Sequence, residues 1–403
     1  MQPNQLHTLS ICYVKTLTAE YPDRSVGSEG NLEATRFFRD KLTSLGWETD
    51  IQEFDAVDWE DGGANLHVSG ADFHVLVSPY STACSVTAPL TGVSSMNELE
   101  TGNFRDKIIL LYGEIAVEQL MPRNFVFYNP ESHKKIISLL ENSGAKALIC
   151  ATGRNAALAG GVYPFPLIED GDFDIPSVYM TEEEGQKLLK YMGEEATLNS
   201  VSERIPSVGY NVTGKKGKNG AERIVITAHI DSKKGSPGAI DNATGVVILL
   251  LLAEMLAGYT DDKQIELVAF NGEDYFSAPG QMAYIKANHN QFGNILLNIN
   301  IDGAGYKDGK TYFSYFDVPD DILTKCAETL KNNPGILEGP QWPQGDHSIF
   351  IQFGRPAIAV SSQWFIENID GQDITHTSRD NIEIVDCSKL VEIAVALNEL
   401  IRK

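Results

Sequence analysis

The chain has 403 residues, with 32 Lys+Arg against 55 Asp+Glu for a net charge of −23, and 42% of its residues are hydrophobic. At roughly 150 residues per domain this length suggests two or three units, or one large α/β domain with an insertion, and the apolar content excludes wholesale disorder and fibrous architectures. A field this acidic repels phosphate backbones and anionic head groups and draws in cations and free amines, so nucleic-acid and membrane-surface binding are not expected.

The first 22 residues suit a helix from residue 3. After the breaker stretch 23–30, Ala34, Phe37, Phe38, Leu42 and Leu45 recur at helical spacing and Gly46 closes a second helix, followed by a strand over 47–57. Between 59 and 200 the segments are short and turn-rich. Strands are predicted at 107–112, 145–151 and 175–180, an amphipathic helix at 131–142, and a further helix whose Thr181 and Glu184 have capping-box spacing. The Gly/Lys-rich 214–220 reads as a surface hairpin or loop. Alternation of another calibre begins at Ala221. A near-continuous apolar strand over 223–230, of the kind covered on both sheet faces, precedes a long helix at 242–257. Strands follow at 264–270, 295–301, 311–316 and 357–360, with helices at 280–288, 319–332 and 389–401. The pattern predicts an α/β fold: a mostly parallel or mixed central sheet covered by helices on both faces, with a smaller inserted α/β domain. The expected division is 1–58 and 201–403 for the main domain and 59–200 for the insertion.

Cys12, Cys84, Cys150, Cys326 and Cys387 are odd in number, widely spaced and without a Cys-x-x-Cys pair, which points to free thiols in a reducing compartment. The opening residues lack a basic region followed by an apolar stretch, and the longest apolar run, 246–253, falls far short of the roughly 20 residues of a membrane span. A soluble, cytoplasmic protein is expected, or a secreted one if a leader was removed.

In open α/β sheets ligands bind beyond the carboxyl ends of the strands. Here the 223–230 strand ends in His229-Ile230-Asp231, Asp241 stands at the mouth of the long helix, the next strand runs into Glu273-Asp274, another into Asp302, and a loop beyond the last strand offers His376. Each alone has an ordinary reading as a satisfied pair, a helix cap or an acidic turn. Together, two imidazoles and several carboxylates on one rim repel unless cations neutralise them. Such a mixture suits Zn, Mn or Co better than Ca. The number of ligands fits two ions roughly 3.5–4 Å apart, one bridging carboxylate, and one carboxylate free to move a proton.

The stretches HIDSKKGSPGAIDNATG (229–245), FNGEDYFSAPG (270–280), NIDGAG (300–305), GDHSIF (345–350) and THTSRDN (375–381), in this order, resemble the co-catalytic di-zinc exopeptidases of the bacterial leucyl aminopeptidase and glutamate carboxypeptidase type. SVGSEGNLEATRFFRDKLTSLGW (25–47) resembles the family's opening helix, and 59–200 resembles the protease-associated domain that some members carry. The resemblance implies that Asp241 bridges two divalent ions, Zn2+ foremost with Co2+ or Mn2+ as alternatives. His229 and Asp302 would complete one site, and Asp274 and His376 the other. Glu273 would be general base, and Asp231 would join the catalytic set by fixing the His229 ring. Asp274 departs from the family's usual Glu by one methylene, and Thr375 stands where some members have Tyr. The implied activity is hydrolysis of the terminal bond of short peptides by a metal-bridging hydroxide. An acidic rim favours an aminopeptidase. A carboxypeptidase, for which Lys233, Lys234 and Arg379 could hold the terminal carboxylate, and a single-zinc glutaminyl-cyclase-like acyltransferase are the alternatives, with a non-catalytic receptor as a third. His347, Tyr306 and Trp342 are candidate substrate contacts. Short peptides are the expected partners, and nothing in the sequence indicates an oligomer.

Overall fold

The computed structural model describes residues 2–154, 161–218, 220 and 222–403. The chain forms two compact units, one of Met1–Ala56, Val208–Asn368 and Ile374–Lys403, the other of Val57–Ser207 with Ile369–Asp373.

In the first unit, strands Gln264–Phe270, Arg223–His229, Ile295–Ile301 and Ala357–Ser362 run parallel side by side. Thr311–Phe316 joins antiparallel beyond Ala357–Ser362, with Ile336–Glu338 outside it. Arg223–His229 and Gln264–Phe270 are buried at every position, which explains their unbroken apolar character. Alternate residues feed opposite faces. Ile224, Ile226, Ala228, Ile265, Leu267 and Ala269 pack into one cluster with helices Pro3–Lys15, Glu29–Ser44, Thr244–Met255 and Cys387–Arg402. On the other face Phe270 meets Tyr284 of helix Pro279–Asn288 edge-on at 5.0 Å, and Tyr284 meets Phe350 of helix His347–Gln352 at 5.9 Å. Helix Thr244–Met255 is buried along its whole length from Thr244 to Ala253, so it has no polar stripe. Truncating Leu250, which is wholly buried there, is expected to cost about 2–5 kcal/mol, read as a lower midpoint in urea denaturation.

In the second unit Cys84–Val93, Ile108–Leu111, Ala147–Thr152 and Ser177–Thr181 run parallel in that order, with Leu76–Val77 antiparallel at the edge. Ile108 and Leu110 point into one core cluster and Ile109 and Leu111 into another, the latter closed by helix Glu131–Asn142.

Two local expectations give way, and one strand is added that the sequence did not announce. The 214–220 segment is only partly a loop: strand Glu195–Gly217 takes in 214–217, pairing Lys216 with Ile265 and Gly214 with Leu267, and the turn is left to Lys218 and Gly220, with 219 outside the described residues. Gly214 serves packing, since a Cβ there would lie 2.7 Å from Leu42 Cδ1. Strand Cys84–Val93 is hidden in the sequence by Pro89, which lacks the N–H a ladder uses. The first helix stops at Lys15 and widens into a π turn over Thr16–Glu20, where the Leu17 carbonyl accepts from Arg24 Nη1 at 2.6 Å. Among the described residues no helix is long and apolar enough to cross a membrane.

Candidate metal centre

Five segments of the first unit deliver their functional side chains to one place. His229 is the last residue of its strand, Asp302 follows Ile295–Ile301, and the Gly272–Asp274 turn follows Gln264–Phe270. Asp241 precedes helix Thr244–Met255 in the turn Ala239–Ala243, where the Asp241–Asn242 peptide is cis. His376 lies on the loop before the last helix, in the left-handed region at φ 62°, a conformation His adopts more readily than bulkier residues.

Asp241 stands between the imidazoles: Oδ1 is 3.2 Å from His229 Nε2 and Oδ2 is 3.2 Å from His376 Nε2. Asp302 Oδ1 lies 3.5 Å from His229 Nε2, and Asp274 Oδ1 lies 3.1 Å from His376 Nε2. One ligand atom from each of His229, Asp241 and Asp274 falls within 4.8 Å of the other two. The carboxylates and His229 are buried, while the His376 side chain keeps 23% of its surface. Two buried atoms here, His229 Nε2 and Asp274 Oδ2, have no hydrogen-bond partner. Buried polar atoms are normally paired, so two orphans among nitrogen and carboxylate donors fit a divalent cation of the zinc type.

The electrostatics agree. Burial disfavours the charged form of Asp241, yet His229 and His376 outweigh it and hold the carboxyl far below the usual range. Both imidazoles are pushed well above their ordinary value despite burial, His229 by Asp302, Asp231 and Asp241, and His376 by Asp274 and Asp241. Glu273 moves well upward through burial and the charges of Asp302, Asp274 and Asp346, against the pull of His229. The rim therefore offers strong affinity for positive charge, and a divalent ion satisfies it without protons.

Asp231 meets the His229 ring through its carbonyl more closely than through its carboxylate. Its carboxylate lies 3.7 Å from His229 Nδ1, and the closer partner of that nitrogen is the Asp231 carbonyl at 3.2 Å. The carboxylate instead accepts the peptide N–H groups of Gly272 at 2.8 Å, Glu273 at 3.3 Å and Asp274 at 3.0 Å. Three N–H groups on one turn claim a carboxylate more strongly than one ring nitrogen, so Asp231 aims both Glu273 and Asp274.

Of the candidate substrate contacts, His347 and Trp342 come together. The buried His347 ring lies between Phe316 (4.7 Å) and Trp342 (4.8 Å), its Nε2 is 3.0 Å from the Trp342 carbonyl, and burial lowers its pKa to about 4. Tyr306 stacks on Trp364 with centroids 4.0 Å apart. Several supporting residues have no role assigned from the sequence. Arg24, fully buried, donates to the carbonyls of Ile230, Pro237, Gly238 and Leu17. Asn31 and Asn271 exchange amide hydrogen bonds at 2.8 and 2.9 Å. Asp346 accepts from Gln281 Nε2 at 2.9 Å, and burial raises its carboxyl to about 7. A lone charge in a loop has no periodicity to betray it.

An α/β sheet whose carboxyl edge gathers two imidazoles and three aspartates, one of them set between the imidazoles, is the framework of a zinc-dependent hydrolase. Residues 211–401, which include all five of these side chains and Glu273, match peptidase family M28. It is 24% identical to Aminopeptidase YwaD of Bacillus subtilis, over 97% of this chain and 84% of that protein. It is 22% identical to Leucine aminopeptidase 2 of Trichophyton rubrum, over 83% of this chain and 68% of that protein. Its fold is that of an aminopeptidase from Aneurinibacillus sp. strain AM-1, with a TM-score of 0.75 at 20% identity covering 99% and 93% of the two chains. BSAP, a zinc aminopeptidase from Bacillus subtilis, gives the same TM-score at 20% identity over 98% and 94%.

Proposed function

We propose that the protein is a two-zinc aminopeptidase that releases the N-terminal residue of short peptides. The observation that carries this reading is the placement of one Asp241 oxygen against each of two imidazoles, each imidazole flanked by a further aspartate. Asp241 would bridge, His229 and Asp302 would hold one ion, and Asp274 and His376 the other. Ions in such a pair polarise a carbonyl oxygen and bring the pKa of a bound water down to roughly 7.

The chain's own residues do the rest. The Asp231 carbonyl fixes the His229 ring through Nδ1, leaving Nε2 turned into the cluster. The Asp231 carboxylate pins the turn carrying Glu273. Glu273, whose carboxyl is held well above its ordinary value by burial and its acidic neighbours, takes a proton from the attacking water and returns it to the departing amine. A rim of Asp302, Glu273 and Asp346 in a chain of net charge −23 suits a free α-ammonium group better than a terminal carboxylate. The relatives named as aminopeptidases support the same polarity.

A panel of short peptides with free or acetylated amino termini, with the released amino acids identified, tests the reading. The expected result is sequential release from the free N-terminus and none from acetylated peptides. Release of the C-terminal residue from both sets would assign a carboxypeptidase instead, and cyclised products without hydrolysis would assign an acyltransferase.

A further inference from the structure

We propose that Asp380 is a positioning residue that sets the bridging carboxylate of Asp241 against His376, an inference that rests on the two-ion reading above. Asp380 lies four residues beyond His376 on the same loop and is wholly buried. Its carboxylate accepts from two successive peptide N–H groups of the loop that carries Asp241, Ile240 to Oδ1 at 2.8 Å and Asp241 itself to Oδ2 at 3.1 Å. The N–H of Ala239 completes the set on the Asp380 carbonyl at 3.2 Å. Three consecutive donors of one ligand loop thus end on a single residue of the other.

The far side of the same loop is held by opposite chemistry. Arg24 collects the carbonyls of Ile230, Pro237 and Gly238, at 2.9, 2.7 and 2.8 Å. Gly238 sits at φ 55°, where a Cβ would meet Ser232 Cβ at 2.6 Å, so the carbonyl presented to Arg24 comes from a turn that only glycine makes comfortably. A buried cation therefore gathers carbonyls from both ends of the segment between His229 and Asp241, and a buried anion gathers the N–H groups of the three residues that follow Gly238. Ser236 adds a tie between the two loops, its Oγ donating to the Thr377 carbonyl at 3.0 Å.

A carboxylate is the side chain that accepts from both N–H groups at once. Asparagine in the same place keeps one acceptor oxygen and turns an NH2 group toward the other N–H, so one bond is lost in either orientation. The loop carrying Asp241 would then be free to shift relative to His376, loosening the ion they share. Supporting partners of metal ligands typically change metal affinity by 10–100-fold when removed.

The test is zinc binding by the full-length Asp380→Asn variant, measured by competition with a chromophoric chelator, alongside thermal unfolding of the metal-free protein. The expected result is a dissociation constant for the weaker zinc raised roughly 10–100-fold, with metal-free unfolding close to wild type. Unchanged zinc constants in a folded variant overturn the proposal. If the variant does not fold, Ser236→Ala decides: its zinc constant is expected to rise about 2–10-fold, as for loss of one neutral hydrogen bond, and wild-type affinity overturns the proposal. Wild-type protein that binds no zinc overturns the two-ion reading and this inference with it. Two tight zinc ions in both wild type and Asp380→Asn refute the positioning role alone.

Discussion

Replacing Glu273 by glutamine is expected to lower kcat by roughly 10²–10⁴-fold while leaving the zinc content unchanged. The substitution keeps shape and removes only the ability to take a proton. The turn stays in place, because the bonds that hold it run from its peptide N–H groups to Asp231 and not from the Glu273 side chain. The neighbouring carboxylates are already engaged: Asp302 Oδ1 faces His229, and Asp346 Oδ1 accepts from Gln281. A carboxylate whose proton affinity is raised by burial and by Asp302, Asp274 and Asp346 takes up a proton more readily than an ordinary one. Steady-state kinetics on a free-amino dipeptide, with metal content determined on the same sample, checks both halves. Near-normal turnover would refute the base role, and loss of one zinc would make Glu273 a ligand.

The contrast between what could and could not be read in the sequence follows from the physics of each feature. Arg223–His229 and Gln264–Phe270 are legible because burial on both faces demands an unbroken apolar run, and the residues just past such runs, His229, Asp274 and Asp302, stand out against it. Cys84–Val93 is illegible because Ser85, Thr87 and Pro89 face outward and Pro89 interrupts the pattern, while its first six residues pair with Glu195–Ser200 more than a hundred residues away. Gly214 looks like a turn signal because glycine does two jobs, and only the nearby Leu42 side chain shows that close approach is the one used here. Arg24 and Asp380 act on backbone groups, which every residue has, so nothing in the loops they support marks them as partners. For Asp231 the residue is legible and its contacts are not: a carboxylate two positions from a histidine suggests a ring partner, while the turn folded over it supplies three better donors.

Truncating Asp241 to alanine is expected to abolish both metal sites, whereas His376→Ala should empty one first. The reason is the division of labour on a single carboxylate, whose two oxygens face different imidazoles at equal distances of 3.2 Å. Without it, His229 with Asp302 and His376 with Asp274 are two separate two-ligand sets, fewer than zinc needs for tight binding. Activity should fall by more than about 10³-fold, since carbonyl polarisation by metal is worth several kcal/mol and each 1.4 kcal/mol is tenfold. Excess zinc should not restore it, in contrast to His376→Ala, where three ligand groups remain at the first site. Misfolding would give the same loss of activity by another route, and the metal-free protein separates the two. The Asp241 bond to Asp380 is made by its peptide N–H and survives truncation, and the mutation also removes a negative charge that bears on Asp302 and Asp380. Against that, truncation removes the attraction of the carboxylate to His229 and His376, so metal-free Asp241→Ala should still fold cooperatively but unfold somewhat earlier than metal-free wild type, while the wild type alone gains on adding zinc, by about 4 kcal/mol at a thousandfold excess over its dissociation constant. Elemental analysis showing two zinc ions retained in Asp241→Ala would remove the bridge on which the assignment of the centre depends.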